Sequence, residues 1–373
     1  MSSNEAPTPT AGGDPVMADA ATEYSHSNGL VARLVQLDIS LAFTSYQSGV
    51  LYMLGRSADG GVHLHQAALV KPMGLAIDPG CGRGQASTLT VCDGARIVCF
   101  QNILNAGEQA NQSFDGCFMP RTIHLTGDLD GHDVGVDESG RTLIVNTRFN
   151  CVAAVSPRHS FEPVWRPPFI SALIDEDRCH LNGMAMVGGK PAYATAVSRS
   201  DTIDGWRDRR QNGGVVIDVA AGAVICEGLS MPHSPRLHAG ELWVLNSGTG
   251  ELGVVRRSGN GDGGMGVFEP RVFCPGFVRG LAFHGDFAFV ALSRPRYQRF
   301  EGLALDQRLA DADSEPWCGI QIIDLRSRAC VDWFRIDGVI GELYDVAVLP
   351  GFSCPMAISP GTNEAATFIT YGV

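Results

Sequence analysis

Three histidines carry the first chemical signal in this chain of 373 residues: His132 in DLDGHDVGVD, His180 in EDRCHLNGMAM and His233 in MPHSPRL. Each stands at the head of a short apolar phrase, and such phrases recur at intervals of about fifty residues. Three imidazoles with Glu342 as a fourth donor form the N/O set that holds Zn, Mn, Fe or Ni, so His132, His180 and His233 are the expected metal ligands. Asp128, Asp130 and Asp133 surround His132 and are suited to orient its second ring nitrogen. Calcium held by Asn182, Asp133 and Glu342 is the weaker alternative.

Arginines cluster in the same phrases. Arg279, with Arg178, Arg148 and Arg236, points to recognition of a carboxylate or phosphate, because the guanidinium fork pairs with planar oxyanions. Tyr344 and Trp206 are candidate pocket walls, and Asn182 a candidate substrate contact. The catalytic set expected is therefore Glu342 or Asp133 as general base, Arg279 as anion holder and Tyr344 beside them. Each residue also has a plainer use: single histidines hydrogen-bond within cores, and single arginines tie loops together. No G-x-S-x-G elbow, Walker A or dinucleotide fingerprint occurs, so Ser234 beside His233 is no hydrolase nucleophile.

The elements that must position these residues follow from the phrases. Six occur, centred on Gly74-Leu75-Ala76, Asp133-Val134-Gly135, Asn182-Gly183-Met184, Ser234-Pro235-Arg236, Gly280-Leu281-Ala282 and Asp345-Val346-Ala347. After most comes a turn and a second apolar run, as in Gly140-Arg141 before TLIVN and Gly285-Asp286 before FAFVAL. Strand, tight turn and strand at this period predict an all-β, six-bladed β-propeller. Innermost strands would bring equivalent positions together: Met73, His132, Asn182, Ser234, Arg279 and Tyr344 in one ring, and Lys71, Asp130, His180, Pro232, Phe277 and Glu342 in the next. A slip of one residue would flip each assignment to the other face.

The last phrase has little strand sequence after it, while LAFTSYQSGVLYMLGR and VHLHQAAL precede the first. The ring is thus expected to close by N-terminal strands joining the C-terminal inner strand. The predicted organisation is a disordered leader over 1–25, one propeller domain over 26–355 and a tail over 356–373. Gly29–Val35 reads as a short helix or a lid. Three polar excursions, Gln101–Asp130, Ser198–Asn212 and Ser293–Trp317, are long enough to be functional loops, and the glycines of Gly259–Gly266 read as a hairpin tip.

Composition narrows the function classes. A net charge of −12 without a basic cluster argues against nucleic acid and anionic membrane surfaces. No run of about eighteen apolar residues is present to span a bilayer. Eleven scattered cysteines without C-x-x-C fit neither a zinc knuckle nor a disulfide framework, and with no secretory signal a reducing cytoplasm is expected.

The phrases TGDLDGHDVGVD, EDRCHLNGMA, GWRDRR, MPHSPRLHAGELWVLNSGTGELG, PGFVRGLAF and ELYDVAVLPG resemble a bacterial propeller family of unknown function, over about Leu30 to Gly351. That resemblance implies a single-domain propeller. Asn182-Gly183-Met184 is also similar to the Asn-Gly-Leu phrase of gluconolactonase and regucalcin-like six-bladed propellers, which implies a divalent cation in the channel. The expected function is a metal-dependent hydrolase, lyase or isomerase acting on a small polar anionic substrate. Two other readings stay open: a non-catalytic propeller that binds a peptide, saccharide or protein partner, and an Fe- or Cu-dependent redox enzyme. The number of copies in the working assembly is left open.

Overall fold

Residues 22–78, 82, 87–257, 264–300 and 302–371 are described by the computed structural model. Antiparallel meanders dominate. Pro72–Ile77, Thr88–Asp93, Arg96–Asn102 and Gly116–Leu125 form one four-stranded unit. Gly131–Val136, Thr142–Asn146, Cys151–Ala154 and Glu162–Trp165 form the next. The third (Leu181–Val187, Lys190–Ala196, Gly214–Asp218, Ala223–Leu229) and the fourth (Pro232–His238, Glu241–Asn246, Glu251–Arg257, Gly266–Phe273) are hydrogen-bonded into one eight-stranded sheet. They are linked through a single parallel pair, Cys226 with Gly266. Phe277–His284, Phe287–Ser293, Cys318–Asp324 and Ala329–Ile336 make the fifth, with Tyr24–His26 added at its outer edge.

The remaining unit is built from both ends of the chain. Val346–Pro350 pairs with Ile39–Ser45, which continues into Val50–Arg56 and Val62–Ala68. Its register, Ile39 opposite Pro350 through Phe43 opposite Val346, is the closure expected from sequence. The first strands of successive units contact one another in chain order, and Val346–Pro350 returns to contact Pro72–Ile77. The result is an all-β propeller arrangement around a central channel.

Packing explains why no unit stands alone. Leu143, Val145 and Val152 of the second unit bury against Leu181, Ala194 and Val215 of the third. Trp243 and Leu245 of the fourth bury against Leu281, Val290 and Ile323 of the fifth. Apolar faces meet between sheets, so each meander needs its neighbour to leave water.

The inner strands share two local devices. Register shifts interrupt the inner hairpins at Pro72/Leu75, Ile144/Asn146, Leu181/Gly183, His233/Arg236 and Val278/Leu281. These bulges fall on the recurring phrases and re-aim side chains there into the channel. Small and bulky residues also alternate around the ring. A Cβ on Gly74 would lie 2.8 Å from Asp133 Cα, one on Gly183 2.6 Å from Pro235 Cδ, and one on Gly280 2.7 Å from Asp345 Cα. Glycine at every second phrase is therefore a requirement of strand approach.

Several expectations are corrected. Gln101–Asp130 is no free loop, because Gly116–Leu125 inside it is the outer strand of the first unit. Gly29–Val35 is no lid: the helix Leu30–Leu37 buries Leu30 and Leu34 in the core beside Phe43 and Phe334. The boundary at 355 falls inside a strand, since Pro355–Ala357 pairs in parallel with Gly116–Phe118. At the other end Tyr24–His26 is paired, so the leader cannot reach residue 25, and residues 1–21 lie outside the described part. Most of the expected Gly259–Gly266 tip lies outside it too. The ten described cysteines are free thiols, and no described helix is long and apolar enough to cross a membrane.

Candidate active site

One end of the channel opens into a cavity of about 510 Å³ whose wall carries His132, His180, His233, Arg279, Glu342 and Tyr344. Residues two apart at or just before the heads of the inner strands enter it together: Lys71 with Met73, Asp130 with His132, Phe277 with Arg279, and Glu342 with Tyr344. This is the pleat period expected from sequence. The third and fourth units depart from it: in the third, His180 takes a left-handed φ of 53° and enters without Asn182, the nominated substrate contact, which does not line the cavity. In the fourth, Met231 and Ser234 take left-handed backbone conformations, with φ of 48° and 44°. His233 reaches the cavity, while Ser234 Oγ donates to the Arg279 carbonyl.

The imidazoles have defined tautomers. Thr147 Oγ1 gives its proton to the Leu181 carbonyl at 2.6 Å, so it accepts from His132 Nδ1 at 2.8 Å. The same Nδ1–H reaches the Asp130 carbonyl at 2.7 Å. Ser247 Oγ donates to the Val278 carbonyl and accepts from His233 Nδ1 at 2.9 Å, and His233 Nδ1 also reaches the Met231 carbonyl at 2.9 Å. Each Nδ1 holds the proton, which leaves Nε2 as a lone pair. Burial lowers the His132 pKa, against the pull of Asp130, and burial with Arg279 drives His233 well below the ordinary value. Both rings are neutral bases at neutral pH.

His180 is held differently. Its Nδ1 is 2.6 Å from Asp177 Oδ2, and its ring stacks on Trp206 at 4.2 Å between centroids. Arg207 covers the Trp206 ring at 4.6 Å. The His132 ring lies edge-on at 4.8 Å from His180, and Tyr344 stands edge-on to His132 at 5.6 Å. Trp206, His180, His132 and Tyr344 thus form a continuous row. Two of its polar atoms, Trp206 Nε1 and Tyr344 Oη, are buried without a protein partner, as is Asp177 Oδ1.

The three imidazoles do meet in one cavity, but their donors are not arranged as a metal site. Among the described residues no group of three or more His, Cys, Asp or Glu side chains is disposed to hold a metal ion. His233 Nε2 faces Asn182 Nδ2 at 3.5 Å instead, and Asn182 Oδ1 accepts from Thr195. His132 Nε2 and His180 Nε2 keep no protein partner among the described residues. The donor set therefore does not fit the three-histidine centre expected from sequence.

Glu342 is heavily engaged for a general base. Arg296 Nε lies 2.9 Å and 3.1 Å from its two oxygens, the Tyr46 hydroxyl donates to Oε2, and Arg279 is 3.4 Å away. Burial pushes its pKa up to about 7, while the two arginines favour the charged form. Arg279 lies over the Phe277 ring at 4.5 Å, and burial together with Arg296 brings its pKa down to about 10. Burial works against the Asp130 charge, yet His132 and Lys71 hold its pKa down at about 2.

Other nominated residues lie elsewhere. Asp133 Oδ2 accepts from the Met184 amide at 2.9 Å and pairs with Arg236 at 2.9 Å, and neither side chain lines this cavity. Asp345 makes the matching bond to the Leu75 amide at 3.0 Å, closing the ring. These three tie neighbouring inner strands deeper in the channel, away from this cavity, and Arg236 lines a separate cavity of about 500 Å³ instead. Arg148 forms a two-pronged pair with Asp175, at 2.7 and 2.6 Å, and Arg178 bridges Glu176 and Asp201. Both fasten loops outside the cavity.

Two excursions complete the wall. Ser198–Asn212 supplies Trp206, Arg207 and Arg210, and Ser293–Trp317 supplies Arg294, Arg296, Arg299 and Phe300. The second is seated by Phe300, Leu305 and Leu309 packed on Phe277. The wall holds seven Lys and Arg side chains against three carboxylates, in a chain of net charge −12. Sequence reasoning missed Asp177, Tyr46, Arg296 and the Thr147 and Ser247 hydroxyls. Only Asp177, three residues before His180, left a local signal.

Comparison with known proteins gives distant likeness. A chain of the nidogen/laminin complex is 11% identical, with 83% of this chain and 98% of that one covered and a TM-score of 0.46. Virginiamycin B lyase from Staphylococcus aureus is 11% identical over 67% of this chain and 73% of its own, with a TM-score of 0.40. The calcium-binding protein regucalcin from Agrobacterium tumefaciens is 13% identical over 86% and 93%, with a TM-score of 0.37. No curated protein matches the sequence. Residues 28–358, which span every strand from Ile39–Ser45 to Pro355–Ala357, match the domain of unknown function DUF4915, and the chain belongs to that family.

Proposed function

We propose that this chain is an enzyme of proton transfer, a lyase, hydrolase or isomerase, built on a closed six-bladed propeller and acting on a small anionic molecule at one mouth of its channel. His180 is the base. Asp177 on Nδ1 holds the ring in orientation, Nε2 faces the ligand, and His132 beside it supplies a neutral imidazole. Arg279 and the arginines of the two excursions draw and hold the anion. A substrate proton passes to His180 Nε2, giving an imidazolium stabilised by Asp177, and returns to the product or leaving group.

The observation that carries this reading is the Asp177–His180 pair at 2.6 Å, with an unpartnered Nε2, on the wall of a cationic cavity. A panel of small carboxylates, lactones and phosphate esters offered to the full chain tests it. His180→Asn should lower any turnover found by about 10²- to 10⁴-fold without loss of fold. Equal turnover by wild type and His180→Asn, or ligand binding with no turnover by the wild type, would sink it.

A further inference from the structure

We infer that the ligand of this cavity is a small hydroxycarboxylate, an inference that rests on the cavity being the ligand site. Unsatisfied polar atoms on the wall define its complement. Trp206 and Tyr344 are 8% and 5% exposed, and their Nε1 and Oη are buried without protein partners. An orphaned buried donor costs stability unless a ligand or water satisfies it. The two stand at opposite ends of the ring row, with the Arg279 guanidinium 6.0 Å from the Tyr344 ring centre. The Arg279 guanidinium and the cationic wall around it call for an oxyanion at the Tyr344 end.

Acceptors fill the middle of the row. His132 Nε2 is a lone pair, His180 Nε2 has no protein partner among the described residues, and Asp177 Oδ1 is buried without one. They call for hydrogen-bond donors on the same ligand. An ammonium group would meet a wall with seven cationic side chains against three carboxylates, whereas a hydroxyl donates without adding positive charge. A cavity of about 510 Å³ accepts a molecule of this size with room for water.

Calorimetric titration of the full chain with L-malate, succinate, L-aspartate and inorganic phosphate separates the chemistries. L-Malate should bind, and succinate, which lacks the hydroxyl, should bind about tenfold more weakly. Tyr344→Phe keeps the ring and Trp206→Phe keeps an aromatic side chain in its place, both remove the donor, and each should weaken L-malate about tenfold. If one variant fails to fold, the other and the ligand panel still decide. Succinate, aspartate or phosphate binding as tightly as malate, no carboxylate binding at millimolar concentration, or undiminished affinity in both variants would each overturn the assignment. Malate bound but never turned over overturns the enzyme reading alone, while turnover of a phosphate ester overturns the hydroxycarboxylate alone.

Discussion

The chemistry of the site depends on hydroxyls that touch no ligand. Thr147 and Ser247 each give a proton to a carbonyl of the next unit and accept from a histidine Nδ1, so one small side chain both joins two sheets and sets a tautomer. Thr147→Val should therefore lower stability by about 1–3 kcal/mol, because the Leu181 carbonyl and His132 Nδ1 lose a partner together. Urea unfolding measures this, and a change within error would mean that the bridge contributes nothing. Glu342 gives a pH signature. Its pKa rises from 4.5 to about 7 on folding, so the protonated carboxyl contributes stability that is complete below pH 4.5 and lost as pH rises through 7. Glu342→Gln stays neutral throughout. Its stability relative to wild type should climb between pH 4.5 and about 7 and level off above that. A fall instead would show that pairing with Arg296 and Arg279 outweighs burial.

At the scale of the element, the inner strands obey a packing rule that is easily tested. Gly74 and Gly280 face backbone, at 2.8 and 2.7 Å from a built Cβ, while Gly135 faces the flexible Met186 side chain. Gly74→Ala and Gly280→Ala should each cost about 1–3 kcal/mol, and Gly135→Ala distinctly less, since a methionine can shift where a strand cannot. Thermal denaturation of the three variants side by side would show it; equal losses would mean that the strands slide freely. The same rule makes half the phrases legible. Glycine, small or turn residues at a fixed period announced the bulged inner strands, but the sign of φ at Met231 and Ser234, which exchanges His233 for Ser234 at the cavity, has no trace in the sequence. Gly116–Leu125 was hidden for a related reason: Pro120-Arg121 and Thr126-Gly127-Asp128 look like loop punctuation, and only pairing with Arg96–Asn102 makes it a strand.

For the molecule as a whole, closure is the feature on which cooperativity rests. Ile39–Ser45 is central in its sheet, paired on one side with Val346–Pro350 and on the other with Val50–Arg56. Ala42→Pro would remove a ladder hydrogen bond there and should destabilise the fold by about 3 kcal/mol or more. Because cores lie between units, tryptophan fluorescence from Trp243 and Trp317 should shift together with far-UV circular dichroism, although Trp243 sits in another sheet and Trp317 just ahead of the strand Cys318–Asp324. Separate transitions would show that the units unfold independently.

Periodicity, turn residues and the strands at the two ends were enough to read a closed ring of meanders from the residues alone, because the pleat and the turn are local properties of the chain. They also brought three histidines, Arg279, Glu342 and Tyr344 to a common mouth. What each of those side chains can do was decided only by folding. Asn182 behind His233 and Arg236 between Asp133 and Asp345 are partners set by distances between sheets, and hydrogen bonds between residues far apart in sequence leave no period for a reader to find.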